Sequence, residues 1–222
     1  MEMNNATEEE KWLDKDKIND RHFYLGTKRV VDFVASLIGL IVLSPIFLII
    51  VICIKIEDRK GPVFYSQIRL GVNGQPFRMY KFRSMVVYAD KKIQKLLDKN
   101  EVDGAMFKIK NDPRVTKVGK IIRKYSLDEL PQLFNVLIGD MSLVGPRPPL
   151  PREVAEYTEY DKQRLLVQPG CTGLWQVSGR NSIGFSEMVD LDLYYIKRSG
   201  IWVDIIILFK TVKIMIVPND AY

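Results

Sequence analysis

The sequence predicts an α+β fold, mainly α. Three observations point there. Residues 33–54 read FVASLIGLIVLSPIFLIIVICI, with no charged side chain and a Ser44-Pro45 dipeptide at the middle. Residues 63–71 and 76–85 flank Asn73-Gly74, the signal for a small β-hairpin. Most of the remaining runs have helical periodicity, and the last of them, 201–217, is apolar but interrupted by Asp204, Lys210 and Lys213. The expected architecture is a re-entrant membrane helix hairpin with a Ser-Pro break, a β-hairpin, and amphipathic interfacial helices around a compact domain.

Composition narrows the class. The chain has 222 residues, 33 Lys+Arg against 27 Asp+Glu, a net charge of +6 and 47% hydrophobic residues, enough for one domain with a core. His22 is the single histidine, so neither a multi-His metal site nor a Ser-His-Asp triad with a spare histidine can form within one chain. Cys53 and Cys171 cannot build a disulfide-dense scaffold or a four-Cys zinc site.

Along the chain, residues 1–27 form a charged segment with Trp12, Phe23 and Tyr24 as its main large apolar groups, and His22 reads as a surface residue. Residues 28–60 form the membrane element. Its uncharged run, 33–54, could reach ~30 Å as a helix, the thickness of a hydrocarbon core. Pro45 lacks an N–H and its ring presses on the carbonyl of Ile41, so the helix must kink, and the Ser44 hydroxyl can bond back to the freed carbonyl. Lys28 and Arg29 precede the block, and Lys55, Arg59, Lys60, Arg69 and Arg78 follow it. Basic residues accumulate on the cytoplasmic side, so neither flank favours translocation. A re-entrant hairpin satisfies both flanks; a kinked spanning helix is the alternative.

Residues 61–200 are expected to form the cytoplasmic domain. After the β-hairpin, with Arg78, Lys81 and Arg83 among its apolar residues, 88–100 reads as a charged helix that 101–104 breaks. A second basic helix covers 115–125, a polar helix 153–167, a short strand Trp175-Gln176-Val177, and a helix 187–197. Residues 201–217 suit a helix lying in the membrane interface, with a core helix carrying snorkelling lysines as the alternative, and 218–222 are a tail.

Charge concentrates at Arg123-Lys124-Tyr125-Ser126-Leu127-Asp128-Glu129-Leu130-Pro131. Ser126 and Glu129 fit a capping box, with Asp128 complementing the helix dipole. The same residues also fit a reactive site. A helix start with Arg123 and Lys124 beside it favours anions, so a carboxylate there would stay ionised while a phosphate approaches. Adjacent carboxylates offer two donors to a hard divalent ion such as Mg²⁺, and a carboxylate attacking phosphorus forms an acyl-phosphate. Further on, Pro146-Arg147-Pro148-Pro149 is a stiff loop that pre-organises Arg147 for a diphosphate or a planar base.

The succession KRVVD, the Ser-Pro block, YKFRSM, SLDELPQLFNVLIGDMSLVGPRPPL, QPGCTGLWQVSGRN and DLDLYYI resembles the bacterial sugar transferase family, the monotopic phosphoglycosyl transferases, over residues 28–217. Small members of the family consist of this catalytic unit alone, and large members add N-terminal spanning helices; the resemblance implies the small type. It implies transfer of a hexose 1-phosphate, of the glucose or galactose type, from a UDP-sugar to undecaprenyl phosphate with release of UMP. This is the first membrane step of exopolysaccharide, capsule or O-antigen synthesis, carried out at the cytoplasmic face of the bacterial inner membrane. By resemblance Asp128 is the nucleophile, Glu129 supports metal and proton handling, and both hold Mg²⁺. Arg123 matches a phosphate-binding arginine, Arg147 in its Pro146–Pro148 loop an arginine linked to the nucleotide, Ser44-Pro45 the helix break, and Lys28-Arg29 the basic pair where the re-entrant helix begins. Lys81, Arg83, Lys120 and Arg123 are expected to gather the anionic substrates. The implied partners are a UDP-hexose, undecaprenyl phosphate and the lipid bilayer, with a homodimer allowed.

Two other readings compete. Asp190-Leu-Asp192 matches the D-x-D pattern of metal-dependent glycosyltransferases, which release UDP. A basic membrane adaptor would also explain the charge, by attraction to anionic lipids. No nucleic-acid motif is present, and no nucleic-acid partner is expected.

Overall fold

The computed structural model describes residues 12–89, 112–179 and 183–216. The helix expected at 88–100, its break at 101–104 and Arg180-Asn181 lie wholly or mostly outside the described residues. The chain begins with a short helix α1 (Lys15–Asn19), capped by the Asp14 carboxylate, which accepts from the amides of Asp16 and Lys17. Helices α2 (His22–Val42) and α3 (Ser44–Glu57) follow. Strands β1 (Phe64–Leu70) and β2 (Pro76–Phe82) come next, then α4 (Lys117–Lys124), a 3₁₀ turn Leu127–Glu129, and α5 (Gln132–Ile138). The rest comprises β3 (Ser142–Val144), α6 (Pro151–Val154), α7 (Glu159–Lys162), β4 (Gly170–Thr172), α8 (Leu174–Ser178), α9 (Phe185–Arg198) and α10 (Ile201–Ile216). This is an α+β chain, mainly helical, with a small antiparallel hairpin.

The apolar block breaks where its chemistry requires. Among the described residues no single helix is long and apolar enough to cross a membrane, but α2 and α3 pass that test together, bent by 58°. Pro45 has no amide to offer the Ile41 carbonyl, and the Ser44 hydroxyl donates to that carbonyl at 2.7 Å. The bend therefore leaves this acceptor satisfied. Helix α2 starts at His22, so it runs without interruption across residues 27 and 28.

Helix α2 is polar on the packed side and apolar on the open side, and α10 also leaves large apolar groups open. In α2 the buried residues are Asp32 and Ser36, and a side chain at Gly39 would press on Leu133 of α5. The Asp32 carboxylate accepts from the Leu143 amide at 3.0 Å, pinning α2 to β3. The open side carries Val30, Val34, Ile38, Ile41 and Val42, and α3 continues it with Leu48, Ile49, Ile52 and Ile56. In α10, Asp204 and Ile207 are buried, whereas Trp202, Ile206, Phe209 and Ile216 are exposed. The helix thus packs along a narrow stripe with Ile207 in the core and leaves four other large apolar groups outside.

Among the described residues, three small cores hold the elements together. Ile50 and Ile54 of α3, Phe82 of β2 and Ile122 of α4 form one, and Phe82 also meets the rings of Phe47 and Phe64 at 5.1 and 5.4 Å. Met79, Val136 and Met141 join β2 to α5. Ile18, Val144, Val189, Leu193, Tyr195, Ile196 and Ile207 join α1, β3, α9 and α10. The β-hairpin pairs Phe64 with Phe82 and Leu70 with Pro76, and Asn73 (φ 53°) and Gly74 (φ 75°) both take the left-handed conformation that their dipeptide favours.

Two expected elements differ. The helix expected over 153–167 is broken into α6, α7 and a 3₁₀ turn, because Thr158 starts a new cap by accepting from the Asp161 amide. Trp175-Gln176-Val177 is helical, not extended. The strand of that region is β4, which lies parallel to β3 with Ser142 opposite Gly170. The backbones there approach so closely that a Cβ at Gly170 would overlap the Gly145 amide.

Candidate functional site

The Asp128–Glu129 pair sits in the 3₁₀ turn between α4 and α5. Ser126 enters that turn with φ 55°, an uncommon conformation for a residue with a Cβ, and its side chain makes no cap. The expected capping box is therefore absent. Pro131 is the residue before α5, so the helix begins at Gln132 and its ring breaks no hydrogen bond. The pair thus lies outside the helix, in the turn leading to it.

Asp128 is buried, and burial pushes its carboxyl up to about 6; Lys81 pulls it down, Glu129 raises it further, and Arg123 pulls it down. Desolvation thus outweighs the neighbouring cations. Glu129 is more open and accepts a hydrogen bond from Lys81 Nζ at 2.7 Å. Lys81 and Arg123 therefore both act on the charge of the dyad.

Asn135 fixes this geometry, although its role escaped the sequence reading. Its Oδ1 accepts from the Tyr80 amide at 3.0 Å and its Nδ2 donates to the Arg78 carbonyl at 2.7 Å, docking α5 on the strand that carries Lys81. A polar residue inside the run LFNVLI was the available signal, since a fully buried amide requires partners. The C-terminus of α5 is closed by Gly139 at φ 95° and by Arg29, which donates to the carbonyls of Val136 and Leu137 at 2.7 and 2.9 Å.

The Pro146-Arg147-Pro148 loop is braced from behind. Pro146 and Pro148 are buried while Arg147 is half-buried. Its guanidinium reaches both carboxylate oxygens of buried Glu153, at 3.2 and 3.4 Å. Arg69 donates to the Pro148 carbonyl at 3.0 Å. Burial lowers the Arg69 guanidinium to about 10, with Arg147 adding repulsion and Glu153 and Glu129 opposing it. Arg69 thus braces the loop and feels the charge of Glu129, and it was not anticipated as a site residue. Fully buried Arg164 donates to Asp192 at 2.8 Å, to the Tyr157 hydroxyl at 2.8 Å and to the Arg147 carbonyl.

Other expected residues serve elsewhere. Arg83 donates to Asp58 at 2.6 Å, clasping the segment after α3 to the end of β2. Lys28 pairs with Asp204 at 2.7 Å, and Tyr24 and Tyr195 donate to the same carboxylate. Lys28 and Arg29 are thus internal stitches, to α10 and α5 respectively. The D-x-D reading does not survive. Asp192 is consumed by Arg164, Asp190 accepts from the Tyr160 hydroxyl at 2.9 Å, and residues two apart on a helix point to different sides.

The donor set at the dyad suits Mg²⁺. Among the described residues no cluster of three or more His, Cys, Asp or Glu exists. Two adjacent carboxylates could hold only an ion that retains water and shares substrate oxygens, not one in a closed protein cage.

Comparison with known proteins returned consistent results. The family model for "Bacterial sugar transferase" matches residues 23–218. Galactosyl transferase CpsE of Streptococcus agalactiae is 47% identical over 202 residues, covering 90% of this chain and 44% of its own length. Undecaprenyl-phosphate galactose phosphotransferase of Salmonella typhimurium is 47% identical over 199 residues, covering 88% of this chain and 41% of its own. Exopolysaccharide production protein ExoY of Rhizobium meliloti is 41% identical over 199 residues, covering 88% of each. The chain therefore spans less than half the length of the first two relatives.

Proposed function

The chain belongs to the bacterial sugar transferase family, and on that premise we propose that it transfers a hexose 1-phosphate from a UDP-hexose to undecaprenyl phosphate, releasing UMP. Galactose or glucose is the hexose; a relative at 47% identity carries the galactose phosphotransferase name. The observation that carries the reading is Asp128: a buried carboxylate, tuned towards neutrality, in a turn bordered by Lys81 and Arg123.

In the first half-reaction an Asp128 oxygen attacks the β-phosphorus of the UDP-sugar. The bond from that phosphorus to the bridging oxygen breaks, and UMP leaves with the bond's electron pair. In the second, an oxygen of undecaprenyl phosphate attacks the same phosphorus and frees Asp128, giving a lipid-linked diphosphosugar. With a pKa of about 6 the carboxylate is mostly ionised at neutral pH and more basic than a surface aspartate, which favours nucleophilic attack. Arg123 and Lys81 supply positive charge as charge moves onto the leaving UMP. Arg147, braced by Glu153, is positioned to hold the nucleotide. Asp128 and Glu129 would hold Mg²⁺, whose role when bound is to neutralise the diphosphate.

The apolar outer faces of α2, α3 and α10 support attachment to the bilayer. The 58° bend between α2 and α3, with basic residues at both ends, favours a re-entrant hairpin in the cytoplasmic leaflet. Such a hairpin would present the site at the depth of the lipid phosphate. The deciding experiment supplies UDP-galactose or UDP-glucose, Mg²⁺ and undecaprenyl phosphate to the purified protein. UMP and a lipid diphosphosugar are expected; UDP as the nucleotide product would overturn the proposal.

A further inference from the structure

Three of the four residues in Pro146-Arg147-Pro148-Pro149 are prolines, so the loop has one amide N–H, that of Arg147, against four carbonyls. It cannot fasten itself, and every one of those carbonyls is held from outside. Gly170 and Leu70 donate their amides to the carbonyls of Pro146 and Pro149, at 2.8 and 3.0 Å. The two carbonyls between them are held by side chains. Arg164 donates to that of Arg147, and Arg69 to that of Pro148 at 3.0 Å.

The two guanidinia are not equivalent. Arg164 is matched by Asp192, 2.7 Å away, with both side chains 1% exposed. Arg69 is buried too but has no carboxylate to itself. Glu153 Oε2 lies 3.9 Å from Arg69 Nη1 and 3.2 Å from Arg147 Nη1, so one carboxylate serves both cations. A buried cation with a shared counter-charge adds little to stability. Its geometry, by contrast, is specific. Arg69 Nη2 donates to Gln67 Oε1 at 3.1 Å, two residues back on the same face of β1, and this contact orients the planar fork. Nη1 then meets both supports of Arg147: its backbone, through the Pro148 carbonyl, and its side chain, through Glu153.

We propose that Arg69 is a positioning residue of the transfer reaction: by gripping the Pro148 carbonyl and Glu153 at once, it aims Arg147 at the nucleotide. The inference rests on the nucleotide-holding role proposed above for Arg147 and names the residue that sets it. Arg69 acts on the UDP-sugar through Arg147, so its loss weakens binding of the nucleotide and spares the chemistry at Asp128.

Steady-state kinetics of the full chain in nanodiscs test this, with Mg²⁺, undecaprenyl phosphate and UDP-galactose or UDP-glucose. Arg69→Met is expected to raise KM for the UDP-sugar about tenfold while kcat stays within about twofold. The acid limb of kcat/KM near about pH 6 should not move, because the charges acting most strongly on Asp128 are Lys81, Glu129 and Arg123. Arg69→Met combined with Glu153→Gln should raise KM about tenfold, not about a hundredfold, because both changes release the same Arg147. The double variant removes a buried cation and a buried anion together, so it carries the test should Arg69→Met alone fail to fold. An unchanged KM, a fall in kcat at constant KM, or a displaced acid limb would refute the proposal. So would a double variant with a KM about tenfold above that of Glu153→Gln. An Arg147→Met variant with the wild-type KM would instead remove the nucleotide-holding role on which the proposal rests.

Discussion

Replacing Asp128 with Asn should abolish turnover and make the protein more stable. The carboxyl is held at about 6 against an ordinary value of 3.8, chiefly because it is buried. In the unfolded chain it ionises above about pH 4, but in the folded chain only above about pH 6. The folded state therefore binds the proton more tightly, so stability is lost as pH rises through this interval and stays lost above it. A shift of about two units at 1.36 kcal/mol each costs the native state about 3 kcal/mol at neutral pH. Asn is isosteric and uncharged and escapes that cost. For a chain of this size about 3 kcal/mol corresponds to an unfolding midpoint raised by roughly 6–12 °C. Thermal unfolding of both proteins in nanodiscs, scanned from pH 4 to 7.5, measures it. The gap should be largest at pH 7.5 and close towards pH 4, where both forms of the residue are neutral. A variant that unfolds at or below the wild-type temperature at pH 7.5, or a gap independent of pH, would show that burial does not burden this carboxylate.

Lys81 lowers the Asp128 pKa, so kcat/KM should fall on the acid side of about pH 6 in the wild type, and Lys81→Met should move that limb to higher pH while lowering the maximum. An unshifted limb would separate Lys81 from the nucleophile. Glu153→Gln leaves an acceptor for the Leu150 amide but removes the charge facing Arg147, and should raise KM for the UDP-sugar about tenfold with a small change in kcat. A fall in kcat at constant KM would contradict a nucleotide-holding role for the loop. Single cysteines at Gly26 and Lys60 should both react with an impermeant thiol reagent from the cytoplasmic side only. Gly26 has open space around its Cβ position, unlike Gly61, where a side chain would strike Arg83. Reaction from opposite sides would establish a span.

Local chemistry was readable from the residues themselves. Asn73-Gly74 announces the hairpin because both residues tolerate positive φ, and Ser44-Pro45 announces the kink because proline lacks an amide. The dyad stands out for its charge density. What could not be read is set by distant partners. β3 and β4 are three residues each and pair across an interval that includes α6 and α7, so neither shows a period of its own. Arg83 stands two residues after Lys81, just past the end of β2, and pairs with Asp58 of the preceding segment. Asp192 looks like a metal ligand until Arg164 is found against it. The Asp128 shift arises from burial, which local sequence does not encode.

The central claim is that Asp128 carries the phosphosugar. Purified protein mixed with UDP-galactose or UDP-glucose and Mg²⁺, without lipid acceptor, should gain the mass of one hexose phosphate on the peptide containing Asp128, and undecaprenyl phosphate should discharge it. Turnover to UMP with an unmodified Asp128, or with the adduct on another residue, would contradict it.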